Sequence, residues 1–347
     1  MNIAILAPLP PPFGGVSVHA TRLIEALREA GDDVAVIDVG RPSLGLFVKV
    51  AMVAWRRDRL MHYHSDEGNW KMAIVLGLIF DAVGAKYVIT LHSFRERVVF
   101  RNVLVRTLLR TTYDAAQRVV CISEHVREAV CTLIDVDATQ CTVISSALPV
   151  SAEERSTPLP SSVPKTWLDA PVRVLFNVSR LVRYHDKDLY GLDVVLDAWR
   201  TVNAVHPSAR LLVVIATVVD VPLYTNAMER VQTLQGVDVL TDHPGLLMPF
   251  TVAAHVVVRA TRTEGGPSLT IQEALENGCI AVASNSVARP RQTLLFRSED
   301  AEDCARVIGE AIHQVCEHGR PTPLIPSTLI VDRLRDIYRA STTTARS

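Results

Sequence analysis

An alternation constrains this chain more than any other feature. Short apolar runs of strand length recur along it, and the apolar residues between them fall at helical spacing. Residues 2–8 (NIAILAP) form the first run, suited to a strand buried on both faces of a parallel sheet. Val16, Ala20, Leu23, Leu27 and Ala30 then keep a helical period, and Gly31 suits the position that closes a helix. Residues 33–40 (DVAVIDVG) read as the second strand, with further strands expected at 60–64, 87–91, 118–122 and 141–145. Repeated strand–helix–strand order folds as α/β with a mostly parallel sheet.

At 347 residues the chain is long enough for two such domains. Between 148 and 171 the texture changes. Pro149, Pro158, Pro160, Pro164 and Pro171 punctuate a Ser- and Glu-rich stretch that reads as a linker. The alternation then restarts, with strands expected at 173–178, 210–215, 237–240, 255–258 and 280–283. Helices are expected near 190–204, 222–233, 267–277 and 300–317, and a last one at 327–340 after a Pro-rich joint at 320–326. The expected division is 1–165, 166–325 and a tail at 326–347 whose helix returns to the first domain. Two doubly wound parallel-sheet domains of this kind are expected to face a central cleft, with loops at the carboxyl ends of the strands lining it.

Composition excludes several classes. Lys plus Arg is 36 against 37 for Asp plus Glu, a net charge of −1, so the basic excess of a nucleic-acid binder is missing. The longest apolar stretches, 44–55 and 72–80, fall short of the ~20 residues that cross a bilayer. The opening residues MNIAILAPLPPPFGG lack a basic n-region and are broken by proline, so they do not read as a secretory signal. The six cysteines show no CxxC or Cys/His zinc spacing, and several sit in apolar runs where buried free thiols are expected. A cytoplasmic chain without a metal is the expectation. GxGxxG and Walker A sequences are also missing, which argues against a dinucleotide dehydrogenase or a P-loop enzyme.

Four loops carry candidate chemistry. Residues 8–16 (PLPPPFGGV) place Gly14 and Gly15 at a helix N-terminus, where backbone N–H groups favour an anion or simply make a tight turn. His92 ends the strand at 87–91 and points to the expected cleft, and His64 holds a similar place with a weaker case. Arg180 ends the strand at 173–178, with Lys187 and Tyr190-Gly191 following; two cations there suit a diphosphate. The most specific loop runs from Arg259 through Glu264, Gly265, Gly266, Pro267, Ser268 and Leu269 to Glu273 and Gly278. A Gly-rich turn feeds a helix whose N-terminal N–H groups suit phosphate oxygens, and a carboxylate behind them can accept both hydroxyls of a ribose.

Taken in order, these segments resemble the retaining glycosyltransferases of the GT-B fold in family four. FGGV, ITLHS, VVCISEHV, NVSRL with YGLDVVLDAW, and EGGPSLTIQEALENGCIAVAS carry the resemblance along nearly the whole length. It implies that Glu273 binds the nucleotide ribose, that Arg180 and Lys187 neutralise the diphosphate, that Gly14 and Gly15 bring N–H groups near it, and that His92 touches the transferred sugar. Gly265, Gly266, Pro267, Ser268 and Leu269 would line the donor site, and Glu264 would act on the sugar. The substrates implied are a UDP- or GDP-sugar donor and a sugar, glycolipid or small natural-product acceptor, with no metal. Three departures stand out. Glu264 and Glu273 have eight residues between them, one more than the family pattern. Lys187 is displaced from the Gly it usually adjoins. Ser145-Ser146-Ala147-Leu148-Pro149 replaces an Asn-Gly turn.

Residues 95–110, bounded by Arg95 and Arg110, hold five Arg and one Glu among apolar residues. That segment reads either as a partly buried helix with solvated ends or as a contact with anionic lipid at the inner face of a membrane. On a helical wheel Arg97 and Arg101 point opposite to Arg106 and Arg110. Two other functions fit the same architecture: a sugar-nucleotide epimerase, and a catalytically weak nucleotide-sugar-binding partner of another glycosyltransferase.

Overall fold

The computed structural model describes residues 1–11, 13–241, 245–264, 268–324 and 329–343. The chain forms two compact units, one of residues 1–149 with 327–347, the other of 150–326.

In the first unit β1 (Asn2–Ala7), α1 (Gly15–Glu29), β2 (Asp33–Asp38), α2 (Leu44–Trp55), β3 (Leu60–Ser65), α3 (Trp70–Val83), β4 (Tyr87–Leu91), α4 (Val103–Ala115), β5 (Arg118–Cys121), α5 (Glu124–Ile134) and β6 (Cys141–Val143) follow one another. The strands pair in parallel in the order β2-β1-β3-β4-β5-β6. Their apolar character follows from burial on both faces: Ile3, Ile5 and Ala7 pack towards α1, while Ala4 and Leu6 join the opposite layer with Tyr63, Phe80 and Tyr87. Side-chain caps open several helices. Ser43 accepts from the Leu46 N–H at 3.2 Å and Ser123 from the Val126 N–H at 3.2 Å. α3 and α4 cross so closely at Gly77 that a Cβ there would lie 2.5 Å from Thr112 Cγ2.

The second unit contains α6 (Ala152–Arg155), α7 (Lys165–Leu168), β7 (Val172–Val178), β8 (Arg183–Tyr184), β9 (Lys187–Asp188), α8 (Leu192–Val205), β10 (Ala209–Ile215), α9 (Val221–Gln232), β11 (Val237–Thr241), α10 (Met248–Ala253), β12 (Val256–Arg259), α11 (Leu269–Glu276), β13 (Ile280–Ser284), β14 (Leu294–Phe296) and α12 (Ala301–His318). Its second parallel sheet runs β11-β10-β7-β12-β13-β14, and β8 and β9 form a separate antiparallel hairpin.

α13 (Leu329–Thr343) packs on the first unit. Ile330, Leu334 and Tyr338 enter the core beside α1, and Arg335 Nε lies 3.0 Å from Asp32 Oδ2.

One expectation is corrected. The boundary expected after 165 falls at 149, and the stretch expected to be a linker is built into the second unit. Val163 and Trp167 lie in its core, and Trp167 Nε1 donates to the Val174 carbonyl at 3.0 Å. Proline and serine set the texture of that stretch, but two large apolar side chains decide where it packs.

Candidate functional site

Strand order locates a candidate site in each unit. In the first, the chain winds from β1 to β2 in one direction and from β3 to β6 in the other, so the topological switch lies between β1 and β3. α1 begins beside that switch. Gly14 is its N-cap, in an extended conformation, and Ser17 Oγ accepts from the Gly14 N–H at 2.9 Å. A Cβ on Gly15 would meet nothing within 4 Å, and one on Gly14 only Ser17 Oγ at 4.0 Å. The protein's own packing therefore does not demand glycine here. What the two glycines leave is open space in front of first-turn N–H groups, in a turn with no acidic side chain.

Behind the switch lies a buried histidine cluster. His92 follows β4, and its Nε2 is 3.0 Å from His64 Nδ1 at the end of β3. The ring of His19, from α1, lies 4.7 Å from that of His92 and 5.4 Å from that of His64, centroid to centroid. His19 Nδ1 donates to the Ser146 carbonyl at 3.0 Å. His62 uses both nitrogens, on Thr90 Oγ1 at 2.7 Å and Tyr338 Oη at 2.7 Å. Burial holds all four neutral. His19 is pushed down to about 4 and His62 to about 3, and His64 and His92 stand well below the ordinary imidazole value, neighbouring rings adding to burial. Sequence reasoning reached His92 and His64. It missed His19 and His62, although both occupy core-facing positions where a His is unusual.

The segment after β4 is anchored by the buried Glu67, which pairs with Arg95 at 2.6 Å and accepts from Ser93 Oγ. The helical wheel expected across 95–110 does not apply: residues Val98–Arg101 form a separate 3-10 turn, and α4 starts only at Val103. Asn102 caps that start, its side chain accepting from the Leu104 and Val105 N–H groups.

In the second unit the switch lies between β7 and β12. Arg180 stands just past β7 with its side chain exposed, and no ion pair engages it among the described residues. Across the switch Arg259 ends β12. Its guanidinium lies 4.8 Å from the Tyr190 ring centroid, and the Tyr190 hydroxyl bonds Ser179, which precedes Arg180. Gly191 makes this approach possible. It has φ +72, and a Cβ there would lie 2.3 Å from the Ala260 carbonyl oxygen.

Glu264 is not a free acid here. Arg259 donates to its Oε1 from Nε at 2.8 Å and from Nη2 at 2.5 Å, and Arg289 pairs with its Oε2. Burial would raise its pKa, but the two guanidiniums prevail and hold the carboxyl below its usual range. Sequence reasoning missed Arg259 and Arg289 as its partners. An Arg in the last position of a buried strand was the available signal.

Lys187 lies on the β8–β9 hairpin, which sequence reasoning also missed, and its Nζ pairs with Glu299 at 2.5 Å. The buried Arg262 also faces Glu299, at 3.7 Å, and bonds Asp193 through Nη2 at 2.8 Å. An ion network of the hairpin and α8 thus takes up Lys187, the physical form of its displacement in the sequence. A cavity of about 360 Å³ lies beside it, between the hairpin, α8 and α9.

Ser268 is the N-cap of α11, with no side-chain cap bond among the described residues, and Leu269 is the first helical residue. Glu273 lies on α11 with its side chain buried. Gly265, Gly266 and Pro267 lie outside the described residues.

Residues 46–152 match the model of Glycosyltransferase Family 4. No curated protein matches by sequence. Among solved structures, a glycosyltransferase from Rickettsia africae is similar over 99% of this chain and 100% of its own, at 13% identity and TM-score 0.69. HepE from Anabaena, in complex with UDP-glucose, matches over 98% and 97% at 16% identity and TM-score 0.68. A Listeria monocytogenes protein described as a putative UDP-N-acetylglucosamine 2-epimerase matches over 98% and 96% at 11% identity and TM-score 0.64. Two parallel six-stranded sheets with flanking helices and these likenesses define the fold as GT-B. Within that fold, residues 46–152 resemble Glycosyltransferase Family 4, whose match lies almost wholly in the first unit.

Proposed function

We propose that this chain transfers a sugar from a nucleoside-diphosphate sugar to an acceptor hydroxyl, with retention at the anomeric carbon. The observation that carries the reading is the second unit's switch point, where an exposed Arg180, with no ion pair among the described residues, follows β7, and α11 follows the neighbouring strand β12. Breaking the anomeric bond builds negative charge on the leaving diphosphate. A guanidinium and helix N–H groups stabilise that charge without a metal. Glu273 holds the ribose, the N–H groups at Gly14 and Gly15 offer a second anion contact, and His92, neutral, touches the transferred sugar.

Lys187 enters this reading only if a donor draws it from Glu299. Glu264, neutralised by Arg259 and Arg289, braces the loop that carries the donor site. The HepE complex with UDP-glucose supports a UDP-sugar as the donor to test first. The cytoplasm is the compartment this substrate implies.

The acceptor side favours an anionic lipid surface. Leu44, Val48, Met52 and Trp55 form an exposed apolar stripe on α2, with Val103 and Leu104 exposed on α4 and Arg97 and Arg101 beside them. That arrangement suits peripheral contact with a membrane holding a glycolipid acceptor. Among the described residues no helix is long and apolar enough to cross one.

Calorimetric titration with UDP, GDP, ADP and dTDP, with and without magnesium, tests the donor site. Tight metal-independent binding of one nucleotide is expected, and binding of none would overturn the proposal. The Listeria likeness keeps an epimerase as the second reading, which would convert a nucleotide sugar with no acceptor present.

A further inference from the structure

Sugar transfer uses His92 alone, yet three buried imidazoles from three different elements meet at the first unit's switch point. One nitrogen from each of His19, His64 and His92 can be chosen so that all three lie within 4.8 Å of one another. The ring centroids form a near-equilateral triangle, 4.7, 5.3 and 5.4 Å on a side.

A count of protons and lone pairs separates this triangle from an ordinary packed cluster. A neutral imidazole has one N–H and one lone pair. His62 spends both within the fold, on Tyr338 and Thr90. The triangle does not balance. His19 spends its N–H on Ser146 and keeps the Nε2 lone pair. His64 and His92 share one hydrogen bond, and His64 Nε2 is buried with no partner among the described residues. The cluster therefore holds more lone pairs than donors to meet them, in a place where an unmet polar atom costs stability.

We propose that His19, His64 and His92 bind a divalent transition-metal ion of the zinc class, with water in the fourth position. A tetrahedral zinc with bonds of about 2.0–2.1 Å sets its ligand nitrogens roughly 3.4 Å apart. One nitrogen from each of the three rings lies within 4.8 Å of the others, so side-chain rotations of about an ångström bring them to that spacing. The hydrogen bond from His19 Nδ1 to the Ser146 carbonyl is the outer contact that orients a metal-bound imidazole. Three neutral nitrogens with no carboxylate favour zinc, cobalt or nickel and disfavour magnesium and calcium. Local spacing could not reveal the set, since 28 residues separate even His64 from His92. The ion carries no step of the transfer proposed above. By occupying His92 it would make zinc an inhibitor of that transfer.

The test uses the full chain, stripped with a chelator and titrated with zinc against a chromophoric competitor in the absence of nucleotide. Failure of the nucleotide reading therefore leaves its result intact. One equivalent of zinc is expected, magnesium is expected not to compete, and His19→Gln and His64→Gln should each weaken binding at least about a hundredfold. A double variant of the exposed His313 and His318, both beside Glu317, should bind as the parent does. No stoichiometric zinc, affinity unchanged in His64→Gln, or loss confined to the surface double variant would each overturn the site. If the buried variants do not fold, X-ray absorption of the zinc-loaded parent decides. Three imidazole nitrogens are expected in the first shell, and an oxygen-dominated shell refutes the proposal.

Discussion

Arg259, Glu264 and Arg289 show what one buried carboxylate does when two guanidiniums close on it. All three side chains are at most 11% exposed, so removing the shared anion leaves two buried cations facing each other. Glu264→Gln should cost about 3–5 kcal/mol of stability, read by denaturant unfolding of the parent and variant. The pH sign follows from the direction of the shift. A carboxyl held below its ordinary value of about 4.5 stabilises the fold fully above that pH, and the stabilisation is lost as pH falls through the lower folded value. Unfolding midpoints of parent and Glu264→Gln should therefore converge as pH falls below 4.5. Arg180 is the opposite case. Exposed and with no ion pair among the described residues, it should leave stability within about 0.5 kcal/mol when changed to Ala, while turnover falls about a hundredfold and nucleotide affinity much less. Equal loss in both quantities would make it a binding residue only. For Glu273→Gln the affinity itself should fall about tenfold, roughly 1.4 kcal/mol, with kcat less affected. At this scale the sequence was informative about position and weak about partners. Arg180 and His92 stand at strand ends, where alternation alone puts them. That Glu264 is clamped and Lys187 is paired with Glu299 depends on Arg289 and Glu299, side chains that no local pattern links to them.

Among elements, long buried strands and helices with a clear apolar face were legible, because burial on both faces leaves few ways to write β1, β7 or β13. The two-residue strands of the β8–β9 hairpin carry no period to read, and β14 at Leu294–Phe296 is too short to stand out. The same limit explains 95–110, where a 3-10 turn and the Asn102 cap interrupt what composition presents as one helix. Beside the Arg335–Asp32 pair, α13 is held by the buried 2.7 Å bond between Tyr338 Oη and His62 Nδ1. Tyr338→Phe leaves His62 Nδ1 buried without its donor and should cost about 1–3 kcal/mol, measured as a lowered unfolding midpoint for the first unit. The exposed stripe on α2 belongs to this scale too. Met52→Asp with Trp55→Asp should abolish sedimentation with anionic vesicles, and high salt should weaken the parent's binding through Arg97 and Arg101.

For the whole molecule, the sequence showed two parallel-sheet domains but misplaced their boundary, because Pro158, Pro160 and Pro164 look like a tether while Val163 and Trp167 are core. The unit of 150–326 is continuous and carries its own core clusters. Expressed alone it should unfold cooperatively and bind the same nucleotide as the full chain. Residues 1–149 alone should not, since Ile330, Leu334 and Tyr338 complete the layer over α1.

The return of α13 to the first unit also sets an order of birth. Domains ordinarily mature from the N-terminus onward as the ribosome works. Here β1 to β6 emerge first, yet their last covering helix is made only after Val150–Pro326 has been synthesised and is free to fold. The sheet of β1 to β6 therefore waits, its apolar floor beneath α13 uncovered, until the second unit has been made. Until Tyr338 arrives, His62 lacks its second partner, so the unit that carries β1 is completed only after the unit encoded within it.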